Sequence, residues 1–292
     1  MSIRRLSGKE RYIDILVYAL LIVWGALIIF PLLYVLMTSF ATEKEFLTRG
    51  FFILPREWTW DAYLYLLAND SFSQSFMNAV IIAAIGTAIS ISATTLMAYG
   101  LSKTWLKGRS VMNFMVVFTM LFSGGLIPTY IVIKEFGLID TFWSLWLPGA
   151  IAPFYLIVMR SFFSSIPYEL EESARVDGCG EWRMFFTIML PLSKASIATF
   201  VLFYMVGYWT TYFSALIYLN DSDLWPLQVF LRQMLVLNLD MEQSSSVFQQ
   251  EIVYTPGVKM AAIVVSALPM MVIYPFLQKY FNKGLMLGSV KG

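Results

Sequence analysis

Histidine is absent from the 292-residue sequence, and cysteine occurs only once, as Cys179. A single cysteine cannot form an intrachain disulfide, and a zinc site of the Cys/His type needs several such ligands. The missing histidine also excludes a nucleophile activated by an imidazole base. Because no second cysteine exists to resolve an oxidised thiol, we interpret Cys179 as a small residue that fills a turn rather than as a redox switch.

Charged residues are also scarce, at 13% of the chain, whereas soluble domains contain about 25%. Hydrophobic residues make up 59%, and the mean hydropathy is +0.69. The formal net charge is only +1, so the sequence offers no basic surface for nucleic acid. This composition excludes an ordinary soluble domain and indicates a membrane protein.

Six long intervals of the sequence contain no charged residue, and a spanning helix needs about 20 mostly apolar residues. The intervals are residues 15–42, 71–102, 110–133, 141–159, 195–220 and 260–278. The spans predicted from them are residues 15–37, 79–100, 111–133, 143–162, 197–219 and 260–281, of which the fourth and the sixth include Arg160 and Lys279 near their ends. A backbone in lipid must satisfy its own hydrogen bonds, which favours helices in all six intervals. We therefore predict an all-α membrane protein with six transmembrane helices, organised as a single domain over residues 1–292.

Lysine and arginine are concentrated in alternate segments between or at the ends of the predicted spans. They precede the first span, recur at residues 103–109 and 160–194, and occur again from residue 279, near the end of the sixth span. The positive-inside rule then places both termini in the cytoplasm. The first apolar run is too long for a secretory signal, whose apolar core has about 7–15 residues, so we predict that it remains as a span.

The six charge-free intervals also restrict the energy source. Ion-coupled carriers normally keep an ionisable group at depth, and the sequence has no Gly-x-x-x-x-Gly-Lys-[Ser/Thr] loop for binding a nucleotide. If ATP drives transport, a partner must therefore bind it. An ion-coupled carrier or channel subunit and a membrane enzyme are the alternatives, and the lack of catalytic side chains disfavours the enzyme.

Glycines and prolines in the third, fourth and sixth spans indicate either bundle packing or flexible points of a moving pathway.

The segment between the fourth and fifth predicted spans, residues 164–194, has the pattern of two short helices. Pro167 suits the start of the first helix, acidic residues follow in its first turns, and Gly178 ends it. The second helix, residues 181–190, is predicted to be amphipathic, with an apolar face formed by Trp182, Phe185, Phe186 and Met189. Such a helix would be presented to a partner or to the bilayer surface.

This segment resembles a known motif. Glu172-Ser173-Ala174, then Gly178, then Ile188-x-Leu190-Pro191 has the spacing of the EAA loop in the inner-membrane permeases of binding-protein-dependent ABC importers. Ser173 replaces the usual central alanine. The flanking sequence is similar to the carbohydrate-uptake branch, and the C-terminal residues 281–292 are similar to the tail of the smaller maltose-permease subunit. The segments 120–130, 147–149, 203–209 and 224–228 are similar to the subgroup that imports oligosaccharides and polysaccharide fragments, which includes the second permease of the alginate importer.

The resemblance implies that residues 164–194 form a coupling loop that docks in a groove of an ATP-binding subunit, with Glu172 as the acidic contact. The expected contact residues are Glu172, Ser173, Ala174, Asp177, Gly178, Ile188, Leu190 and Pro191, with Ser289 and Lys291 in the C-terminal tail. It further implies a non-catalytic subunit of the bacterial cytoplasmic membrane that binds no cofactor itself. The implied partners are a second permease, two ATP-binding subunits carrying ATP and Mg, and an extracytoplasmic solute-binding protein.

The fifth predicted span places Tyr204, Tyr208 and Tyr212 at i, i+4 and i+8, which is one face of a helix, with Trp209 beside them. Aromatic rings and hydroxyls suit the passage of a sugar, but the same residues also suit packing between helices. In the loop 220–258, a short helix is predicted at residues 229–239, followed by a polar tip at 243–250. That tip is either a solvated loop or, by the resemblance, a segment that enters the cleft of the binding protein.

Overall fold

The computed structural model describes residues 8–237 and 255–288, and the side chains of residues 14–236 and 255–275. The elements in these ranges are helices, and the only extended pairing among them is an isolated bridge between Ala41 and Trp58. The all-α fold class is therefore confirmed. The helices up to residue 102 are α1 (Gly8–Thr38), α2 (Glu43–Thr48), α3 (Asp61–Ala68) and α4 (Asp70–Ser102).

Shorter helices follow in the middle of the chain. Up to residue 176 they are α5 (Arg109–Leu121), α6 (Leu126–Glu135), α7 (Trp143–Trp146), α8 (Pro153–Ser165) and α9 (Tyr168–Val176). The remaining elements are α10 (Glu181–Met184), a π-helical turn (Phe185–Met189), α11 (Leu190–Leu192), α12 (Lys194–Trp209), α13 (Phe213–Tyr218), a 3-10 turn (Ser222–Leu224), α14 (Leu227–Arg232), a second π-helical turn (Gln233–Leu237) and α15 (Pro256–Gly288).

Three of these helices are long and apolar enough to cross a membrane, within Asp14–Thr38, Asp70–Ser102 and Pro256–Pro275. Two bent pairs of helices could add a span each: α5 with α6, and Glu181–Leu192 with α12. The first, second and sixth predicted spans are thus continuous helices, although Pro269 and Pro275 lie inside α15. The count of six spans and the orientation of the termini stay predictions.

The prediction of continuous helices is wrong for the third and fourth spans. The third is broken at residues 122–125, where Gly125 has a φ of +84°, and the chain bends by 117° between α5 and α6. The fourth is interrupted at residues 147–152, between α7 and α8, where Pro148 and Gly149 lie and Pro153 begins the next helix. Proline removes a backbone donor and fixes φ, so each break coincides with residues that disfavour a continued helix.

The fifth predicted span is also interrupted, because α12 ends at Trp209. The Thr210 hydroxyl donates to the carbonyl of Val206 at 2.7 Å, and the Thr211 hydroxyl donates to that of Gly207 at 3.1 Å. Hydroxyls that bond carbonyls of the preceding turn compete with helix continuation. Tyr212 then has a φ of −128° and a ψ of −60°, so the prediction that it continues the helix face of Tyr204 and Tyr208 is wrong.

The described residues separate into two compact units. The first contains residues up to Asn69 and Met234–Ala267. In it, α1 exposes apolar side chains from Ile15 to Leu33, as expected for a helix that faces lipid. Near the start of α2, the buried Glu45 accepts a hydrogen bond from the backbone N–H of Arg56 at 3.0 Å, which fixes the loop that follows.

The second unit contains Asp70–Gln233 and the residues from Leu268. Helix α4 is its centre and packs against α12, α8, α14 and α7. Its buried face carries small residues, among them Ala79, Ala83, Gly86 and Ser90. Small side chains let the backbones of membrane helices approach closely, and a Cβ added at Gly86 would lie only 2.9 Å from side-chain atoms of Trp146 and Tyr208.

Candidate functional site

The predicted coupling loop, residues 164–194, contains two helical pieces joined by a tight turn, as predicted. Helix α9 begins directly after Pro167 and ends at Val176. Gly178 adopts a φ of +75°, a conformation that favours glycine. The backbone N–H of Cys179 donates to the carbonyl of Ala174 at 2.9 Å, so the turn closes back onto the helix.

The predicted contact residues of the loop divide between an exposed and a buried side. Glu172, Ser173, Asp177, Gly178 and Pro191 are exposed, Ile188 and Leu190 are half-buried, and Ala174 is buried. The Ser173 hydroxyl donates to the carbonyl of Glu169 at 2.7 Å, so the serine in the central position of the motif is satisfied within its own helix. Ser289 and Lys291 lie outside the described residues.

The predicted apolar face of the second helical piece is not a single face. Phe185 and Met189 are buried, whereas Trp182 is 70% exposed and Phe186 58% exposed. The π-helical turn Phe185–Met189 explains the difference, because its wider turn changes which residues lie above one another. The two exposed rings stack with their centroids 6.4 Å apart and form an exposed apolar surface on the second helical piece.

An ion pair that the sequence did not indicate lies beneath α9. The ammonium group of Lys103, just after the end of α4, is 2.7 Å from a carboxylate oxygen of Glu171, and both side chains are buried. The ammonium group also lies 4.2 Å from the centre of the Tyr99 ring, a cation–π contact. No local pattern in the sequence links Lys103 to Glu171, because the two residues are far apart along the chain.

A second polar contact joins α4 to the other helical piece of the predicted coupling loop. The Tyr99 hydroxyl donates to a carboxylate oxygen of Glu181 at 2.7 Å. The other oxygen of Glu181 accepts from Arg175 at 2.8 Å. The Tyr99 ring packs against Phe185 with centroids 5.1 Å apart. The end of α4 therefore contacts α9 and α10 through charged groups and an aromatic ring.

A cavity of about 460 Å³ lies between α7, α8 and α12 in the second unit. Its lining includes aromatic rings and hydroxyl groups, and none of the described lining residues is charged. The aromatic residues of the lining are Tyr155, Phe203, Tyr204, Tyr208 and Tyr218, and the other hydroxyls come from Thr129, Ser144, Thr211 and Ser214.

Two tyrosines of the predicted sugar path, Tyr204 and Tyr208, line this cavity and also hold helices together. The Tyr204 hydroxyl lies 2.7 Å from the Thr94 hydroxyl of α4 and accepts from the backbone N–H of Ala152 at 3.0 Å. The Tyr208 hydroxyl lies 2.8 Å from that of Ser90, also in α4. The packing interpretation and the pathway interpretation therefore apply to the same residues.

The other two residues of that prediction lie away from the cavity lining. Trp209 is buried, with its ring in edge contact with Phe76 at 5.8 Å. Tyr212 lies beneath the guanidinium of Arg232, which is 5.6 Å from the ring centre. Within the part of the chain that the structure describes, no cluster of three or more acidic or cysteine ligands could hold a metal ion.

Comparison with known proteins identifies the family. Residues 90–286 match the family described as the inner membrane component of the binding-protein-dependent transport system. Protein LplC of Bacillus subtilis is 49% identical over 268 residues, which cover 92% of this chain and 91% of LplC. The polygalacturonan/rhamnogalacturonan transport system permease protein YtcP, also of Bacillus subtilis, is 46% identical over 285 residues, covering 97% of this chain and all of YtcP.

A solved structure also shares the fold. It is the crystal structure of a bacterial ABC transporter involved in the import of the acidic polysaccharide alginate, in which one chain has a TM-score of 0.85 and 29% sequence identity, covering 94% of this chain and 99% of that chain. These similarities confirm the resemblance noted from the EAA motif. The chain is a multi-pass membrane protein that belongs to the family of binding-protein-dependent transport system inner membrane components.

Proposed function

We propose that this chain is a transmembrane subunit of an ATP-driven ABC importer that takes up oligosaccharides or polysaccharide fragments. The observation that carries the proposal is the coupling loop, a defined helix that presents Glu172 to the outside of the chain. The relatives support the substrate class, since YtcP is named for polygalacturonan and rhamnogalacturonan transport and the structural relative for alginate import.

In this proposal the chain pairs with a second permease subunit, and two ATP-binding subunits carry ATP and Mg on the cytoplasmic side. An extracytoplasmic solute-binding protein delivers the sugar. The chain lies in the bacterial cytoplasmic membrane as a single permease domain with six spans and both termini inside, as the lysine and arginine distribution favours. It hydrolyses no ATP itself, because it lacks a P-loop.

Docking is assigned to the exposed side of α9. Glu172 would accept a charge-assisted hydrogen bond from a basic residue of the ATP-binding subunit, an interaction that contributes about 1.5–3 kcal/mol. Trp182 and Phe186 of the second helical piece are exposed and would add apolar area to the same docking contact. By the family resemblance, Ser289 and Lys291 in the C-terminal tail would reach between the ATP-binding subunits.

The cavity is assigned to the sugar path. Its tyrosine rings suit the C–H faces of a sugar, and its hydroxyls suit the hydroxyl groups. Tyr204 and Tyr208 keep their rings at the cavity while their hydroxyls bond to α4. An ion-coupled carrier is disfavoured, because none of the described residues that line the cavity carries a charge to bind an ion.

The docking role can be tested with two glutamates of the same helix. Glu172 and Glu169 are both exposed, but only Glu172 occupies the acidic position of the motif. We expect Glu172→Ala to abolish sugar-stimulated ATPase activity or the co-purification of ATP-binding subunits. Glu169→Ala should matter less, since a solvated charge at a helix start contributes about 0.3–1 kcal/mol. Equal behaviour of the two variants would contradict the assignment.

A further inference from the structure

The coupling loop is attached to a membrane helix through a pair of buried charges. Lys103 is 4% exposed and Glu171 is 7% exposed, and their charged atoms are 2.7 Å apart. Lys103 follows the last residue of α4, whereas Glu171 lies in the middle of α9. The pair therefore joins the end of the central helix of the second unit to the helix that presents Glu172.

Stability alone does not account for such a pair. Removing two charges from water is costly, and replacing a buried ion pair by apolar residues of similar volume is often neutral or stabilising. A hydrophobic contact could also slide, whereas separating two buried charges leaves each of them unpaired, which is strongly unfavourable. The pair is thus suited to fixing the position of α9 relative to α4 rather than to adding stability.

A hydrogen bond from Tyr99 also holds the coupling loop to α4. The Tyr99 hydroxyl reaches Glu181 at the start of α10, while Glu181 also binds Arg175 near the end of α9. Both helical pieces of the loop are thereby held to the last turn of α4 and to each other. Movement of one piece without the other would break a charged contact.

The same helix also contacts the cavity. Ser90 and Thr94, two to three turns before the end of α4, bond to the hydroxyls of Tyr208 and Tyr204. A displacement of the coupling loop that pulls on Lys103 therefore acts on the helix that holds two cavity-lining rings. Helix α4 therefore contacts the coupling loop at its end and the cavity-lining tyrosines along its length.

We propose that Lys103 and Glu171 are positioning residues that couple docking to the cavity, an inference that rests on the proposed function. The two adjacent glutamates then have different tasks. Glu172 faces the ATP-binding subunit, and Glu171 faces inward and fixes α9 to α4. Loss of Glu172 should weaken docking. Loss of Glu171 should leave a coupling loop that still docks but no longer transmits its movement to α4.

The test uses the assembled importer, with this chain, its partner permease, the ATP-binding subunits and the binding protein. The variants are Glu171→Gln, the doubly uncharged Lys103→Met with Glu171→Leu, and Glu169→Gln as an exposed control in the same helix. Three quantities are measured for each: sugar imported per ATP hydrolysed, thermal stability, and the mobility of a nitroxide attached to Cys179. Because Cys179 is the chain's single cysteine, the nitroxide reports on the loop when the other subunits are cysteine-free.

We expect Glu171→Gln to lower the sugar imported per ATP by about fivefold or more, the lower range of typical coupling between sites. The nitroxide should become more mobile, while ATP-binding subunits still co-purify. The double variant should regain thermal stability but not the import ratio. Glu169→Gln should match the wild type in all three measurements.

Two results would overturn the proposal. One is an import ratio and nitroxide mobility of Glu171→Gln equal to those of the wild type. The other is a double variant that regains stability and the import ratio together, because the pair would then act only through folding. A wild-type complex without ATP-driven uptake would instead contradict the proposed function, and the nitroxide comparison would still test whether the pair holds the loop.

Discussion

Gly86 lies where α4 meets the rings of Trp146 and Tyr208, and its replacement by alanine tests this packing. A Cβ at this position would be 2.9 Å from Cδ1 of Trp146 and 2.9 Å from two ring atoms of Tyr208. Neither ring is free to move away. The Trp146 indole donates to the carbonyl of Ile82 at 3.2 Å, and the Tyr208 hydroxyl bonds to Ser90 at 2.8 Å.

The expected cost follows from these contacts. Forcing an extra methyl group into a packed core typically costs about 1–3 kcal/mol, and losing one of the two hydrogen bonds adds about 0.5–1.5 kcal/mol. We therefore expect Gly86→Ala to destabilise the chain by about 1.5–4.5 kcal/mol, the sum of these two ranges. Alanine's better helix propensity, about 1 kcal/mol over glycine, offsets only part of this.

Gly100 provides the matched control, since it lies in the same helix and an added Cβ there meets nothing within 4 Å. Gly100→Ala should be neutral or slightly stabilising. The assay is thermal unfolding of the purified complex in detergent, followed by tryptophan fluorescence and by retention of the partner subunits. If Gly86→Ala and Gly100→Ala unfold at the same temperature, the close approach of α4 to these rings is not as described.

Two further variants probe hydrogen bonds in the second unit. Tyr204→Phe removes the partner of the Thr94 hydroxyl and of the Ala152 N–H, so thermal unfolding should show a loss of about 1–3 kcal/mol, the cost of leaving a buried polar group unpaired. Asp140 accepts hydrogen bonds from the side-chain amide and the backbone N–H of Asn220, which hold the pKa of its carboxyl below the ordinary value of 3.8. Its contribution to stability should be complete above that value and disappear as the pH falls through the lowered pKa, and an acid titration of thermal stability should lose this step in Asp140→Asn.

The sequence predicted most of what depends on local chemistry. Charge-free intervals located α1, α4 and α15, because the requirement for an apolar, internally bonded backbone is local. The start of α9 after Pro167 and the turn at Gly178 followed from the conformational limits of proline and glycine. The spacing from Glu172 to Pro191 identified the family, which the comparisons confirm.

Features that depend on tertiary contacts could not be predicted from the sequence. Helix α12 ends at Thr210 and Thr211, whose hydroxyls bond to carbonyls of the preceding turn. No glycine or proline marks this end in the sequence, so helical spacing wrongly places Tyr212 on the face of Tyr204 and Tyr208. The π-helical turn changes the direction in which the side chains of residues 185–189 point. The apolar residues that α-helical spacing would place on one face are therefore divided between a buried and an exposed side. The ion pair of Lys103 and Glu171 connects elements separated in sequence, and only the packing of α9 against the end of α4 brings them together.

ATP-driven sugar uptake by the reconstituted complex tests the central claim most directly. Vesicles would contain this chain, its partner permease, the ATP-binding subunits and the binding protein, with radiolabelled oligosaccharides that cover neutral and uronate chains. We predict accumulation of at least one of these sugars when ATP is supplied without a proton or sodium gradient, and none when ATP is withheld. Uptake that follows an imposed ion gradient and needs no ATP would contradict the account.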